Sequence, residues 1–313
     1  MAISDLHVVL GAGPAGSTLA TELVARGHRV RSVRRSADAD APPGVETRAA
    51  DLSDPAAATT ATEGAAVVYH CVNVPYQLQV AQMPGIGDAI LASAEAAGAR
   101  LVVLDTLYPY GPVTEGRITE ATPWAATTDK GRMRAELDRR YLDAHAAGRV
   151  RVVAGRSADF YGPGVLNSTL GGATFPAALS GEPVLTFGDI DLPHSYTYIG
   201  DVARGLATLG ERSDGDGRVW HLPTVPARTT REVLDLIADA AGRPLAIDNL
   251  DEPRPYGPFD ATMMAEYAEM FYQHTTPVDM DSSAFASAFG VAPTPLAEGI
   301  AATVDWYRGL MRT

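Results

Sequence analysis

Apolar positions in the first half of the chain fall into two textures. Short stretches at Leu6–Leu10, Arg29–Val33, Ala66–Cys71, Leu101–Asp105 and Val150–Arg156, several of them nearly continuous apolar runs, read as strands. Between them, helical spacing runs over Ala15–Arg26, Pro55–Glu63, Gly85–Ala97 and Lys130–Ala147, with Gly27, Gly98 and Gly148 placed as stops. Strands alternating with helices predict a parallel sheet, and runs lacking a polar face predict one covered on both sides. The run "DRRYLDAH" reads as a solvated helix face. Past Arg156 the texture changes: Gly and Pro become frequent ("FYGPGVLNS", "LSGEPVLTFGDIDLP") and the elements shorten. "TTREVLDLIADAAG" is a helix with Thr229 and Glu232 at capping-box spacing, and Leu296–Met311 is a closing helix. Asp248–Pro258, rich in proline and acids, reads as a surface loop.

Composition narrows the class. Hydrophobic residues make up 46% and charged residues 20% of the 313, an ordinary globular balance. The chain carries 38 acids against 25 bases, a net charge of −13, which disfavours nucleic acid as a partner but leaves room for a local basic pocket. No apolar run has the length of a membrane span, and Met1–Asp5 leads straight into a strand with no signal peptide, so the expectation is a cytoplasmic protein with no membrane partner. The single cysteine, Cys71, reads as a buried, inert thiol, and no metal site is expected.

The first strand–helix turn holds Gly11, Gly13 and Gly16, with Pro14 and Ala15 between the last two. Such a turn brings backbone N–H groups and a helix N-terminus to a pyrophosphate: the first glycine permits the turn, the second lets the backbone approach the ligand, and the third lets helix and strand pack. With the alternating pattern, this predicts an α/β fold, a Rossmann-type doubly wound parallel sheet with a smaller, interleaved C-terminal substrate domain. The expected dinucleotide-binding domain covers residues 1–165. Residues 166–313 are mostly a substrate-binding domain, with 184–225 returning strands and a helix to the core. "GAGPAGSTLA" is similar to the opening of flavin-dependent hydroxylases, in which an acid at the end of the second strand binds a ribose hydroxyl. Here that place holds Arg34, followed by Arg35. A guanidinium cannot accept a hydrogen bond but pairs well with a 2′-phosphate, so NADP(H) is the expected cofactor.

Further motifs converge on one family. "RAADLSD", "VVYHCVN", "LVVLDTLYPYG", "GRSADFYGPG", "YTYIGDVARGLATL" and "PTPLAEGIAATVDWYR" together resemble the extended short-chain dehydrogenase/reductases, the group of NAD-dependent epimerases and dehydratases, over nearly the full length. The resemblance implies that Asp51 contacts the adenine with Leu52 beside it at the cofactor, that Asn73 follows a strand beside the cofactor, and that Thr106 orients the substrate oxygen. It also implies a homodimer paired through the Gly85–Ala97 and Lys130–Ala147 helices.

Three departures stand out. The family's Tyr-x-x-x-Lys pair lacks its tyrosine: if Lys130 is the lysine, the partner position is Ala126, and if Arg132 replaces it, the partner is Thr128. Lys130 either holds the ribose or caps a helix. His194 stands where sugar-nucleotide members carry an arginine for the diphosphate, and Asp159 where they commonly carry asparagine. A mostly neutral imidazole and an added carboxylate disfavour a dianionic substrate. Tyr108, two residues beyond Thr106, is the first choice for the missing acid; Tyr76 and Tyr161 are the others, each also readable as an aromatic in a pocket wall. Tyr76, Asp159, Tyr161 and His194 form the expected substrate-binding set, and His70 reads as a structural strand residue. The functional expectation is an NADP(H)-dependent enzyme acting on a carbonyl, imine or activated double bond of a neutral or weakly basic small metabolite, not a nucleotide sugar. The alternatives are a non-redox isomerase, lyase or cyclase, or an NADP-binding sensor without catalysis.

Overall fold

Every residue of the first strand, β1 (Leu6–Leu10), is buried, as a strand covered on both faces requires. The computed structural model describes residues 5–36, 41–256 and 260–312. The chain divides into two compact units, one of residues 1–109, 130–156 and 202–222, the other of residues 110–129, 157–201 and 223–313.

In the first unit β1 is followed by α1 (Pro14–Ala25), β2 (Arg29–Arg34), β3 (Val45–Ala49), α2 (Pro55–Thr62), β4 (Val67–His70), α3 (Tyr76–Ala97), β5 (Arg100–Asp105), α4 (Asp129–Ala146) and β6 (Arg151–Arg156). Most of α6 (Ile199–Glu211) and all of β11 (Val219–His221) join the same unit. The seven strands form one sheet in the order β11-β6-β5-β4-β1-β2-β3. All neighbours are parallel. The connections run outward in opposite directions from β1 and β4, so the crevice at their C-terminal ends is the topological switch point, where such sheets bind ligands.

Two helices differ from the sequence pattern. α3 starts at Tyr76 rather than Gly85 and keeps Pro84 inside it, because tertiary packing of Gln79 and Met83 overrides the breaker signal. The "DRRYLDAH" run is not a solvated face: Asp138, Tyr141 and Ala144 are buried, and only part of the run meets solvent. β3 carries no continuous apolar run, since it lies at the sheet edge with half-exposed residues.

The second unit holds β7 (Asp159–Tyr161), α5 (Phe175–Ser180), β8 (Val184–Phe187), β9 (Pro193–His194), β10 (Tyr196–Tyr198), β12 (Arg228–Thr229), α7 (Thr230–Ala241), β13 (Ile247–Leu250), α8 (Ala261–Met270), α9 (Ser283–Phe289) and α10 (Leu296–Leu310). Its strands pair two by two, β10 with β7, β12 with β9 and β13 with β8. The segment read as a loop at Asp248–Pro258 therefore begins as a strand, satisfied by β8; Gly257 and Pro258 lie outside the described residues. Phe175 stacks on Tyr307 with ring centroids 5.1 Å apart, joining α5 to α10 within a core shared with Val233, Leu234 and Ile237 of α7. The capping box at α7 forms: Glu232 N–H donates to Thr229 Oγ1 at 3.1 Å, and Thr229 N–H to Glu232 Oε2 at 2.9 Å. Asp201 accepts from both the N–H and the hydroxyl of Thr294, at 2.8 and 2.9 Å, and so ties the "GDVA" segment to the residues before α10. Among the described residues no helix is long and apolar enough to cross a membrane.

Candidate functional site

The glycine turn closes tightly against the sheet. Gly11 has φ +96°, and a Cβ there would lie 2.8 Å from the Cys71 carbonyl group, where the chain leaves β4. A Cβ on Gly16 would meet the Gly11 carbonyl oxygen at 1.8 Å, so only glycine lets α1 sit this close to the turn. Gly13 differs: a Cβ there would meet nothing within 4 Å. That open space faces the start of α1, which begins at Pro14, carries no acid in its first turn and has no side-chain cap. An uncapped helix N-terminus beside an open glycine suits the pyrophosphate of a dinucleotide, so the residues fit such a group. Ala15 is buried against the sheet.

Gly11 N–H donates to Val33 O at 2.9 Å, which brings the end of β2, and hence Arg34, beside the turn. Arg35 is near enough to help hold the Asp51 carboxyl below its ordinary value, after the larger effect of Ser53, whose hydroxyl and N–H donate to Asp51 Oδ1 at 2.7 and 3.0 Å. Leu52 is buried beneath them. Asn73 is exposed, and its Oδ1 accepts from Arg134 Nη2 of α4 at 2.9 Å. Nothing in the local sequence marks Arg134, which is buried.

At the ends of β4 and β5 a phenol pair forms. The hydroxyls of Tyr76 and Tyr108 lie 2.8 Å apart, and Tyr108 N–H donates to Thr106 Oγ1 at 3.3 Å. Lys130 Nζ sits 5.7 Å from the Tyr76 ring centroid and is buried, whereas Arg132 points to solvent. His70, the last residue of β4, is held neutral: burial, with Arg134 nearby, lowers its pKa to about 3. Cys71 is half-buried, and desolvation pushes its thiol up to about 12.

The second unit holds another polar cluster. His194 Nε2 meets Asp159 Oδ2 at 3.1 Å, and Thr169 Oγ1 donates to the same oxygen at 3.3 Å. Although burial raises the Asp159 pKa, the hydrogen bond and charge of His194 with those of its neighbours bring it below the ordinary value. His274 lies parallel to His194 at 5.9 Å, and burial lowers its pKa to about 4. It was not legible in the sequence, because "FYQHTT" has no periodic or motif signal. Tyr161 is only 1% exposed and sits in the core of this unit, with its phenol pushed up by burial. Among the described residues no group of three or more His, Cys, Asp or Glu could hold a metal ion.

No curated protein matches the chain. Among solved structures it is similar to MoeE5 in complex with UDP-glucose and NAD, with TM-score 0.80 and 24% identity over 98% of this chain and 100% of that one. The dTDP-glucose 4,6-dehydratase DesIV from Streptomyces venezuelae, with NAD bound, superposes at TM-score 0.80 and 20% identity over 97% of each chain. UDP-glucose 4-epimerase from Thermotoga maritima, with UDP-glucose, does so at TM-score 0.79 and 19% identity over 98% of this chain and 99% of that one. These neighbours overturn the expectation of a neutral or weakly basic substrate other than a nucleotide sugar. The physical reason lies in Asp159 and His194. Taken singly they argued against a diphosphate, but they bond to each other, so the carboxylate is answered within the pair and is no isolated anion. The model of the NAD dependent epimerase/dehydratase family matches residues 7–222, which include the whole glycine turn and, apart from Leu6, all seven strands of the sheet. The chain therefore belongs to the NAD dependent epimerase/dehydratase family and is a nicotinamide-dinucleotide enzyme of the oxidoreductase type.

Proposed function

We propose that this enzyme uses NADP(H) to change the oxidation state of a sugar carbon in a nucleotide-linked sugar, as an epimerase or dehydratase does. The observation that carries the reading is the Tyr76–Tyr108 phenol pair with the Lys130 ammonium over one ring, next to Thr106. It assembles, from three separate elements, an acid and a nearby cation in a chain that lacks the family's tyrosine. Hydride exchange is the chemistry that the nicotinamide supplies when bound. Thr106 holds the reacting substrate oxygen through its hydroxyl, and Tyr108 gives or takes the proton at that oxygen. Tyr76 completes the hydrogen bond from behind, and Lys130 sets a positive charge over the Tyr76 ring. Gly11, Gly13 and Gly16 cradle the pyrophosphate, with the first-turn backbone of α1 at Pro14 and Ala15. Asp51, Leu52 and Asn73 line the cofactor.

NADP(H) is chosen for Arg34 and Arg35, which lie at the strand end beside the glycine turn and would pair with a 2′-phosphate. The solved neighbours hold NAD, so cofactor choice is where this chain departs from them. The test is to incubate the enzyme with UDP-glucose or dTDP-glucose and either dinucleotide, following nicotinamide absorbance and product mass, and to titrate both dinucleotides by calorimetry. Tighter binding of NADP(H), weakened on the order of tenfold or more by Arg34→Ala, is the expected result. Equal affinity for both would sink the cofactor assignment, and no conversion across a panel of nucleotide sugars would sink the substrate class.

A further inference from the structure

Behind the strand ends of the first unit lies a buried charge cluster that the proposed chemistry does not use. Arg156, the last residue of β6, is fully buried. Its Nε donates to Asp105 Oδ2 at 2.8 Å, and its Nη2 to Asp138 Oδ2 at 2.5 Å. The two carboxyl side chains are only 1% and 2% exposed. Asp105 ends β5, so the next residue is Thr106; Asp138 comes from α4.

Two carboxyl groups, Asp105 and Asp138, share one guanidinium in this buried site. Like carboxylates that share a buried site do not both ionise. One proton shared between them relieves the repulsion. Burial and the neighbouring Asp105 push the Asp138 carboxyl well up, and Arg156 offsets this only in part. Of the groups facing the cluster, Arg134 of α4 is a cation one turn from Asp138 whose hydrogen bond goes to the neutral Asn73 amide, His70 of β4 is held neutral, and burial pushes the Tyr141 phenol of α4 up. Lys130, Arg134 and Asp138 follow one another at four-residue spacing along one buried face of α4. One helix face therefore carries the cation over Tyr76, the donor to Asn73 and the acid on Arg156.

We propose that Asp138 is a positioning residue for Thr106: as the neutral member of a carboxyl pair sharing one proton, it holds Arg156 and Asp105, and through Asp105 the strand end that bears Thr106. The proposal rests on the role assigned to Thr106 above. Asparagine copies a protonated carboxyl in shape and hydrogen bonding, whereas leucine copies only its bulk.

Two measurements need no substrate. Infrared difference spectra at neutral pH, wild type minus Asp138→Asn, should show a protonated-carboxyl C=O stretch present only in the wild type; its absence overturns the proposal. The γ-methyl resonance of Thr106, assigned by its loss in Thr106→Ser, should stay in place in Asp138→Asn and move in Asp138→Leu. On a nucleotide sugar that the wild type converts, Asp138→Leu should lower kcat by on the order of tenfold or more with KM within about twofold, and Asp138→Asn should retain near-full kcat. Equal damage by Asn and Leu would mean that Asp138 acts as a charge, and an unmoved Thr106 in Asp138→Leu would mean that it only fills space; either result ends the proposal. Should Asp138→Leu fail to fold, Asp105→Asn replaces it, with the same shift of Thr106 expected and its absence equally decisive. Lack of turnover on every nucleotide sugar would count against the functional reading alone, since the infrared and resonance results stand without it.

Discussion

Tyr108 and Thr106 are separated by one residue, yet their expected contributions differ in kind. Tyr108 is the proton donor of the proposed reaction, so Tyr108→Phe should cut turnover by about a hundredfold to ten-thousandfold while leaving NADP(H) affinity nearly unchanged. Thr106→Ala should show the same split. Tyr76→Phe removes only the partner of the 2.8 Å phenol–phenol contact, so a loss of about tenfold or less is expected, the worth of one hydrogen bond. Steady-state kinetics beside dinucleotide titrations would check all three. Near-full turnover in both Tyr108→Phe and Thr106→Ala would remove these side chains from the chemistry.

At the level of elements, the strand–turn–helix at the start of the chain divides its glycines by job. The Gly16 Cβ position is blocked at 1.8 Å by the Gly11 carbonyl oxygen, while the Gly13 position is open to 4 Å. Gly16→Ala should therefore lower the melting temperature sharply, because α1 must move off β1. Gly13→Ala should melt close to the wild type yet bind dinucleotide more weakly by on the order of tenfold or more, because the methyl occupies the space in which the pyrophosphate approaches. Thermal melts paired with calorimetry separate the two; unchanged dinucleotide affinity in Gly13→Ala would refute the assignment. Helix α4 shows the limit of pattern reading at this scale. The run that begins at Asp138 suggested solvent, but Asp138 points inward, as do Lys130 and Arg134 before it, each held by a partner supplied by another element.

For the whole molecule, acid stability follows from histidines buried in neutral form. Desolvation lowers His7 and His274 to about 4 and His70 to about 3, from an ordinary 6.5. Between pH 6.5 and those values the unfolded chain binds protons that the folded chain refuses, so stability falls as pH falls through that window. Each histidine contributes roughly 1 kcal/mol per pH unit at the steepest part. Melting temperatures measured from neutral pH down to about pH 4 should drop steeply, and His7→Gln should flatten the drop by about a third; a flat profile in the wild type would contradict this account. We also propose a homodimer through α3 and α4. On these helices Arg140 of α4 pairs within the chain with Asp88 of α3 and with Glu136. A monomer mass by light scattering at micromolar concentration and low salt would rule it out. The sequence by itself determined what depends on local spacing: the strand–helix alternation, the glycine turn, the Thr229–Glu232 cap and the arginines at the end of β2. Those features are legible because backbone geometry and short-range hydrogen bonds act within a few residues. Only the tertiary structure decided the rest. The Tyr76–Tyr108–Lys130 grouping, the Arg134–Asn73 contact, the Asp159–His194–His274 cluster and the Asp105–Arg156–Asp138 triad each join residues from separate elements. Whether a charge is solvated, paired or neutralised depends on what the fold sets against it, and no local pattern encodes that.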